Sequence, residues 1–120
     1  MRQLRLIAAL LIFPLSASAA DTCMVIHGRA HYYAGDANLR IWHIGTHHEY
    51  EPDTTTFTRV MAWLTEGTTK GDLKRFASPE SNLMLYGDFT VCPTEPFRQG
   101  SAQHAKIISL KNRTYVRLEK

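Results

Sequence analysis

Cys23 and Cys92 are the only cysteines in this 120-residue chain, and their positions restrict its fold more than any other feature. Cys23 opens one β-type run, residues 23–33, and Cys92 closes another, residues 83–92. A bond between them closes a loop of about 70 residues, worth roughly 4 kcal/mol in the chain-entropy model. A domain of about 100 residues buries a core but is marginal without such help. Joining the cysteines also forces the two runs to lie side by side. The alternative use, a free-thiol catalyst, lacks a Cys-x-x-Cys spacing or a flanking cationic site to lower a thiol pKa.

Whether that bond forms depends on compartment. Arg2 and Arg5 precede an apolar run over residues 6–15, and Ser16-Ala-Ser-Ala-Ala20 follows it. This order is that of a cleavable secretory signal. About ten apolar residues are half of what a helix needs to span a bilayer. The sequence therefore predicts cleavage after Ala19 or Ala20, one domain over residues 21–120, and a periplasmic or secreted location where disulfides persist. A lipid anchor on Cys23 is disfavoured, because Asp21 and Thr22 stand where lipoprotein processing wants small residues. No stable membrane anchor is expected after cleavage.

The formal charge of +3 comes from 14 basic and 11 acidic residues. Loss of Arg2 and Arg5 leaves 12 against 11, or +1. No basic block remains to argue for nucleic acid as a partner.

Residues 23–33 alternate as a strand, with Cys23, Val25, His27, Arg29 and His31 on one face and Met24, Ile26, Gly28, Ala30 and Tyr32 on the other. Turn formers over residues 34–38 lead to a second strand over 39–45, and 46–51 continue into a third. Phe57, Val60, Met61 and Leu64 then fall at helical spacing, with Asp53 or Thr54 to cap the start and Gly67 to end a helix over 54–66. Residues 68–82 read as an exposed loop with at most a short helical turn. A strand over 83–92 follows, then short β-type runs at 105–110 and 114–118 joined by a tight turn at Lys111-Asn112-Arg113.

Three strands, a helix, then two or three strands is the order of a five- to six-stranded OB-like barrel with one helix. Closure removes exposed edges, which suits a mainly β chain of this length. A small β-sandwich is the alternative. In the barrel the first and fourth strands pair antiparallel, so Cys23 opposite Cys92 makes the numbers of facing residues sum to 115. His27 then faces Asp88, Arg29 faces Tyr86, and Arg29 lies diagonal to Asp88.

Several groups bear on function. Arg40 and Trp42 share a strand face and, with Tyr32, Tyr33, Tyr50 and Tyr86, offer a stacking surface of the kind OB folds present to ligands. His27, Arg29 and Asp88 form a polar cluster in which Asp88 can orient His27 and neutralise Arg29. A nucleophile or partner carboxylate is missing, and no Gly-x-Ser-x-Gly, phosphate loop or dinucleotide fingerprint occurs. Of the six histidines, His43, His47 and His48 are the candidates for a metal, but neither strand nor helix spacing brings all three to one face. No metal site and no cofactor is expected from this pattern.

Gly28-Arg29, Gly35, the run Leu39-Arg-Ile-Trp-His-Ile-Gly-Thr-His47 and the run Leu85-Tyr-Gly-Asp-Phe-Thr-Val-Cys-Pro93 together carry a resemblance. They resemble a family of small exported bacterial proteins with a Gly-Arg, an Arg-Ile-Trp-x-x-Gly-Thr and a Gly-Asp-Phe-x-Val-Cys-Pro in that order. The resemblance spans about a third of the chain. It implies one domain joined across both blocks, and the family has no assigned biochemical function to carry over.

The function expected is that of an exported binding or interaction module, presenting Arg40, Trp42, Tyr32 and Tyr86 to a protein or small ligand. The alternative is a hydrolase-like or metal-dependent enzyme built on His27 and Asp88, with His43 as a further candidate. Binding is preferred because each enzymatic reading lacks a required part.

Overall fold

Five strands close into a barrel in the computed structural model, which describes residues 22–119. The segment read as an export signal lies outside the described residues. The strands are β1 (Met24–Tyr33), β2 (Asn38–His43), β3 (Glu49–Pro52), β4 (Leu83–Pro93) and β5 (Gln103–Arg117), with spatial order β1-β2-β3-β5-β4. All neighbours are antiparallel except β3 and β5, which run parallel over Tyr50, Glu51 and Pro52. The fold is an OB-like barrel.

Alternation decides what faces in. Ile26 and Ala30 of β1, Leu39 and Ile41 of β2, Tyr50 of β3, Leu83, Leu85, Phe89 and Val91 of β4, and Ala105 and Ile107 of β5 fill the interior. The β1–β4 register follows the predicted sum: Val25 faces Thr90, His27 faces Asp88 and Arg29 faces Tyr86. The Cys23–Cys92 disulfide is formed at the end of that pair.

Helix α1 (Thr54–Glu66) lies between β3 and β4 in sequence and turns Val60 and Leu64 into the core. Asp53 caps it, accepting from the Thr56 amide and from the Thr55 and Thr56 hydroxyls. Burial works to raise the Asp53 pKa, but these hydrogen bonds and one from Lys106 outweigh it and leave it lowered. The helix also serves the edge of β5, since the Ile107 amide donates to Thr56 Oγ1 and its carbonyl accepts from Arg59. Gly67 ends α1 for a steric reason: a Cβ there would fall 2.3 Å from the Tyr115 ring.

Two stretches differ from the sequence reading. Residues 111–113 do not turn: β5 runs unbroken from Gln103 to Arg117. Asn112 takes a positive φ of 58°, and an extra β5 residue is accommodated between the Tyr86 and Asp88 pairings. The turn chemistry of Lys111-Asn112-Arg113 is spent on a β-bulge. A second shift places Ile108 between the Thr90 and Val91 pairings.

The 68–82 stretch is also more ordered than a loop. It holds α2 (Lys70–Arg75) and a 3-10 turn over Pro79–Asn82. Thr69 and Asp72 make a reciprocal capping box. Arg117 grips Asp72 through two hydrogen bonds, of 2.6 and 3.3 Å, and the Gly67 carbonyl through a third. The Arg117 guanidinium, then the Thr69 amide, hold the Asp72 carboxyl down at about 2.

A carboxyl held lower in the folded chain than its unfolded value of about 3.9 favours folding above that value and loses the contribution as pH falls towards 2. Asp72→Asn is therefore expected to lower the melting temperature at pH 7, and the gap from the parent should close between pH 4 and pH 2. Thermal melts across that range check it. A gap that persists at pH 2 would assign the loss to packing rather than charge.

Candidate functional site

Alternation that sends apolar residues inward sends a second set outward, in rows across the sheet. One row runs Tyr86, Arg29, Trp42 and Glu49, and the next runs His31, Arg40 and Glu51 towards His104. Row positions come from pairing; side-chain contacts then define the site.

Trp42 is fixed by the loop that follows it. Its indole N–H donates to the Thr46 carbonyl at 2.7 Å, while the Thr46 hydroxyl donates to the His43 carbonyl and accepts from the His48 amide. Gly45 makes this turn possible with a φ of 90°, which side chains rarely tolerate. On the β1 side the Arg29 guanidinium lies 4.8 Å from the centre of the Trp42 ring.

On the β3 side of Trp42 the surface falls away into a cavity of about 410 Å³ lined by Arg40, Trp42, Thr46, His47, Glu49 and Gly100–Ala102. A second, of about 310 Å³, is lined by Tyr33, Asp36 and Asn38 and shares Arg40 and Glu49 with the first. A third, of about 460 Å³, adds His48, Phe97 and Gln99 and shares Thr46, His47 and Gly100. Shared walls make the three one groove across β2 and β3. Its ends are the β1–β2 turn and the β4–β5 connection, which is where OB folds bind ligands.

Ring packing and hydrogen bonds at Glu95 hold the β4–β5 connection. Phe97, half exposed, packs on His48, which stacks on Tyr50 with ring centres 4.3 Å apart in each case. His48 Nε2 and Gln103 Oε1 are 2.8 Å apart, and the Gln103 amide group donates to the Glu95 carbonyl. The His104 amide donates to the Glu95 carboxylate and lowers its pKa, assisted by charge on the His104 ring.

Arg40 is compensated within the groove, and acids outnumber it. Arg40 lies 3.4 Å from Glu49 and 3.8 Å from Glu51. Asp36 adds a further acid at one end.

The structure sorts the residues singled out from sequence. Arg40 and Trp42 line the groove, and Tyr86 stands in the same outward row two strands away. Tyr32 is not brought to this face: it shares the inward parity of Ile26 and Ala30 and meets Phe57 of α1 edge-on. Tyr50 is likewise core. His27 Nδ1 lies 3.3 Å from Asp88, which also accepts from Asn112 at 2.7 Å. Those two bonds, Asn112 first, lower the Asp88 pKa. Arg29 does not neutralise Asp88, because its long side chain leans towards β2 and Trp42 instead. His27 is 65% exposed and lines none of the three groove cavities.

His47 lines the groove, His48 is packed between two rings, and His43 faces Gly28 of β1 and lines none of the three cavities. Among the described residues, no group of three His, Cys, Asp or Glu side chains is placed to hold a metal ion. Nor does any described helix have the length and apolarity to cross a membrane. The sequence reading missed Asp36, Glu49, Phe97, Gly100 and Ser101. Pro93 and Pro96 mark the end of β4, but nothing local says that the following residues fold back over β2 and β3.

By fold and groove, this is an OB-like barrel with a ligand-sized cleft on its β2–β3 face. No family profile, curated protein or solved structure matches the chain.

Proposed function

We propose that the protein is an exported, non-enzymatic module that binds an oligosaccharide along the β2–β3 groove. The observation that carries this reading is the pairing of an immobilised indole, Trp42, with the compensated Arg40–Glu49 pair in one continuous cleft. Pyranose rings stack their C–H faces on aromatic rings, and vicinal hydroxyls suit planar groups that donate and accept side by side. Glu49, Glu51 and Asp36 would repel a phosphate backbone, which argues against nucleic acid in the same cleft. The disulfide suits the oxidising compartment that residues 1–20 imply.

Glycan-array screening of the purified protein, followed by calorimetric titration, tests the reading. Binding in the micromolar to millimolar range is expected, with Trp42→Ala weakening it about 10-fold or more through lost stacking of 1–3 kcal/mol. Binding that survives both Trp42→Ala and Arg40→Ala would remove the groove from consideration. The enzymatic alternative would gain from hydrolysis of any bound oligosaccharide that depends on His27.

A further inference from the structure

Among the described residues, the buried side-chain nitrogen and oxygen atoms left without a hydrogen-bond partner are two: Nε of Arg29 and Nε of Arg40. Arg29 faces Trp42 and Arg40 faces His31, so the two arginines are diagonal neighbours on the outer face. Their surroundings differ. Arg40 sits between Glu49 and Glu51. Arg113 and Arg117 each have a carboxylate, and Arg59 binds a carbonyl. Arg29 has no carboxylate within ion-pair distance among the described residues, although Asp88 is its diagonal neighbour. Asp88 is occupied by Asn112 and His27. What Arg29 does have is the Trp42 ring beneath its guanidinium.

A guanidinium held over an indole, with no carboxylate within ion-pair distance, is placed to receive an anion. We propose that Arg29 receives the carboxylate of an acidic sugar, so that the ligand of the groove is a carboxylated oligosaccharide. This rests on the glycan reading of the groove. Trp42 stands between Arg29 and the cavity, with β1 on one side and β3 on the other. A chain that stacks on the cavity side of the indole and continues past it towards β1 therefore meets the Arg40–Glu49 pair with one residue and Arg29 with the next. Charge sets its direction: Glu49 and Glu51 on β3 repel an acid that Arg29 on β1 attracts. The same acids, with Asp88 beyond Arg29, favour a single carboxylate over a doubly charged phosphate monoester.

Calorimetric titrations of the purified protein with xylotetraose bearing a single glucuronic acid, the methyl ester of that acid and chitotetraose test the proposal. The acid is expected to bind about 10-fold or more tightly than its ester, a preference of the size a charge-assisted hydrogen bond gives. Added salt should narrow it. Arg29→Met should abolish the preference and leave ester binding within about twofold. Arg29→Lys keeps charge and stem but not the fork, and should retain only a small part of it.

Equal binding of acid and ester by the parent protein overturns the proposal and leaves the groove reading intact. Equal loss of both ligands in Arg29→Met and Arg29→Lys, in variants whose circular dichroism matches the parent, also overturns it, since Arg29 would then merely support Trp42. If none of the three binds, the glycan reading fails and the proposal falls with it.

Discussion

Cys23→Ser/Cys92→Ser is expected to lower the unfolding free energy by about 4 kcal/mol, as the chain-entropy model gives for a loop of this length. Small domains are stable by about 5–15 kcal/mol in all, so the variant should sit close to its folding threshold. Urea titrations of the parent with and without reductant, beside the double serine variant, measure it. The reduced parent and the variant should unfold at the same urea concentration. Cys92 is buried against the barrel and Cys23 is exposed, so a single Cys92→Ser should be the worse of the two single changes. If the double variant unfolds where the oxidised parent does, β1 and β4 hold their register without the bond.

Gly87→Ala is the second change with a large expected effect, about 3 kcal/mol, at the upper end of the usual cost of overpacking. A Cβ at Gly87 would fall 2.5 Å from Leu110 Cδ1 and 2.8 Å from the Lys111 carbonyl oxygen. The leucine can rotate away, but the carbonyl is part of the bulge at Asn112 and cannot move without disturbing the β4–β5 ladder. Thermal or chemical denaturation of Gly87→Ala reads the cost directly. A loss below about 1 kcal/mol would mean that the bulge is soft. Gly35→Ala, where a Cβ meets nothing within 4 Å, is the matched control.

The residues explain which parts of this fold can be read along the chain. The β1–β4 register is legible because a period of two and one covalent bond leave a single parity: once Cys23 meets Cys92, His27 must face Asp88. Helix α1 is legible because its cap, apolar spacing and terminal glycine agree. Where one residue type serves two geometries, the reading fails. Asn112 in the left-handed region satisfies a turn and a bulge equally well, and the choice is made by Gly87 across the ladder. Helix α2 has six residues and depends on Arg117, which arrives from 45 positions away.

The groove is partly legible for the same reasons. Arg40 and Trp42 follow from β2 parity, and Gly45 with Thr46 shows why the Arg-Ile-Trp-x-x-Gly-Thr run is a unit: the glycine lets the threonine reach back and fix the indole. Tyr32 was separable from Tyr33 by that parity, since it alternates with Ile26 and Ala30. The lean of Arg29 was not, because register fixes where a Cα stands and leaves the direction of a four-atom stem open.

The parallel β3–β5 contact that closes the barrel has a consequence for kinetics. It joins Tyr50 to Gln103 and Pro52 to Ala105 with just three pairings, across a stretch that includes both helices and all of β4. Pairings of such separation are entropically late, because their loop must be closed before any contact rewards it. An oxidised chain begins with β1 and β4 already tethered, and β5 follows β4 after a short connection. Its refolding should be fast, with the β3–β5 seam last to zip. A reduced chain must find both long-range closures unaided, so thiol oxidation sets the tempo of its maturation.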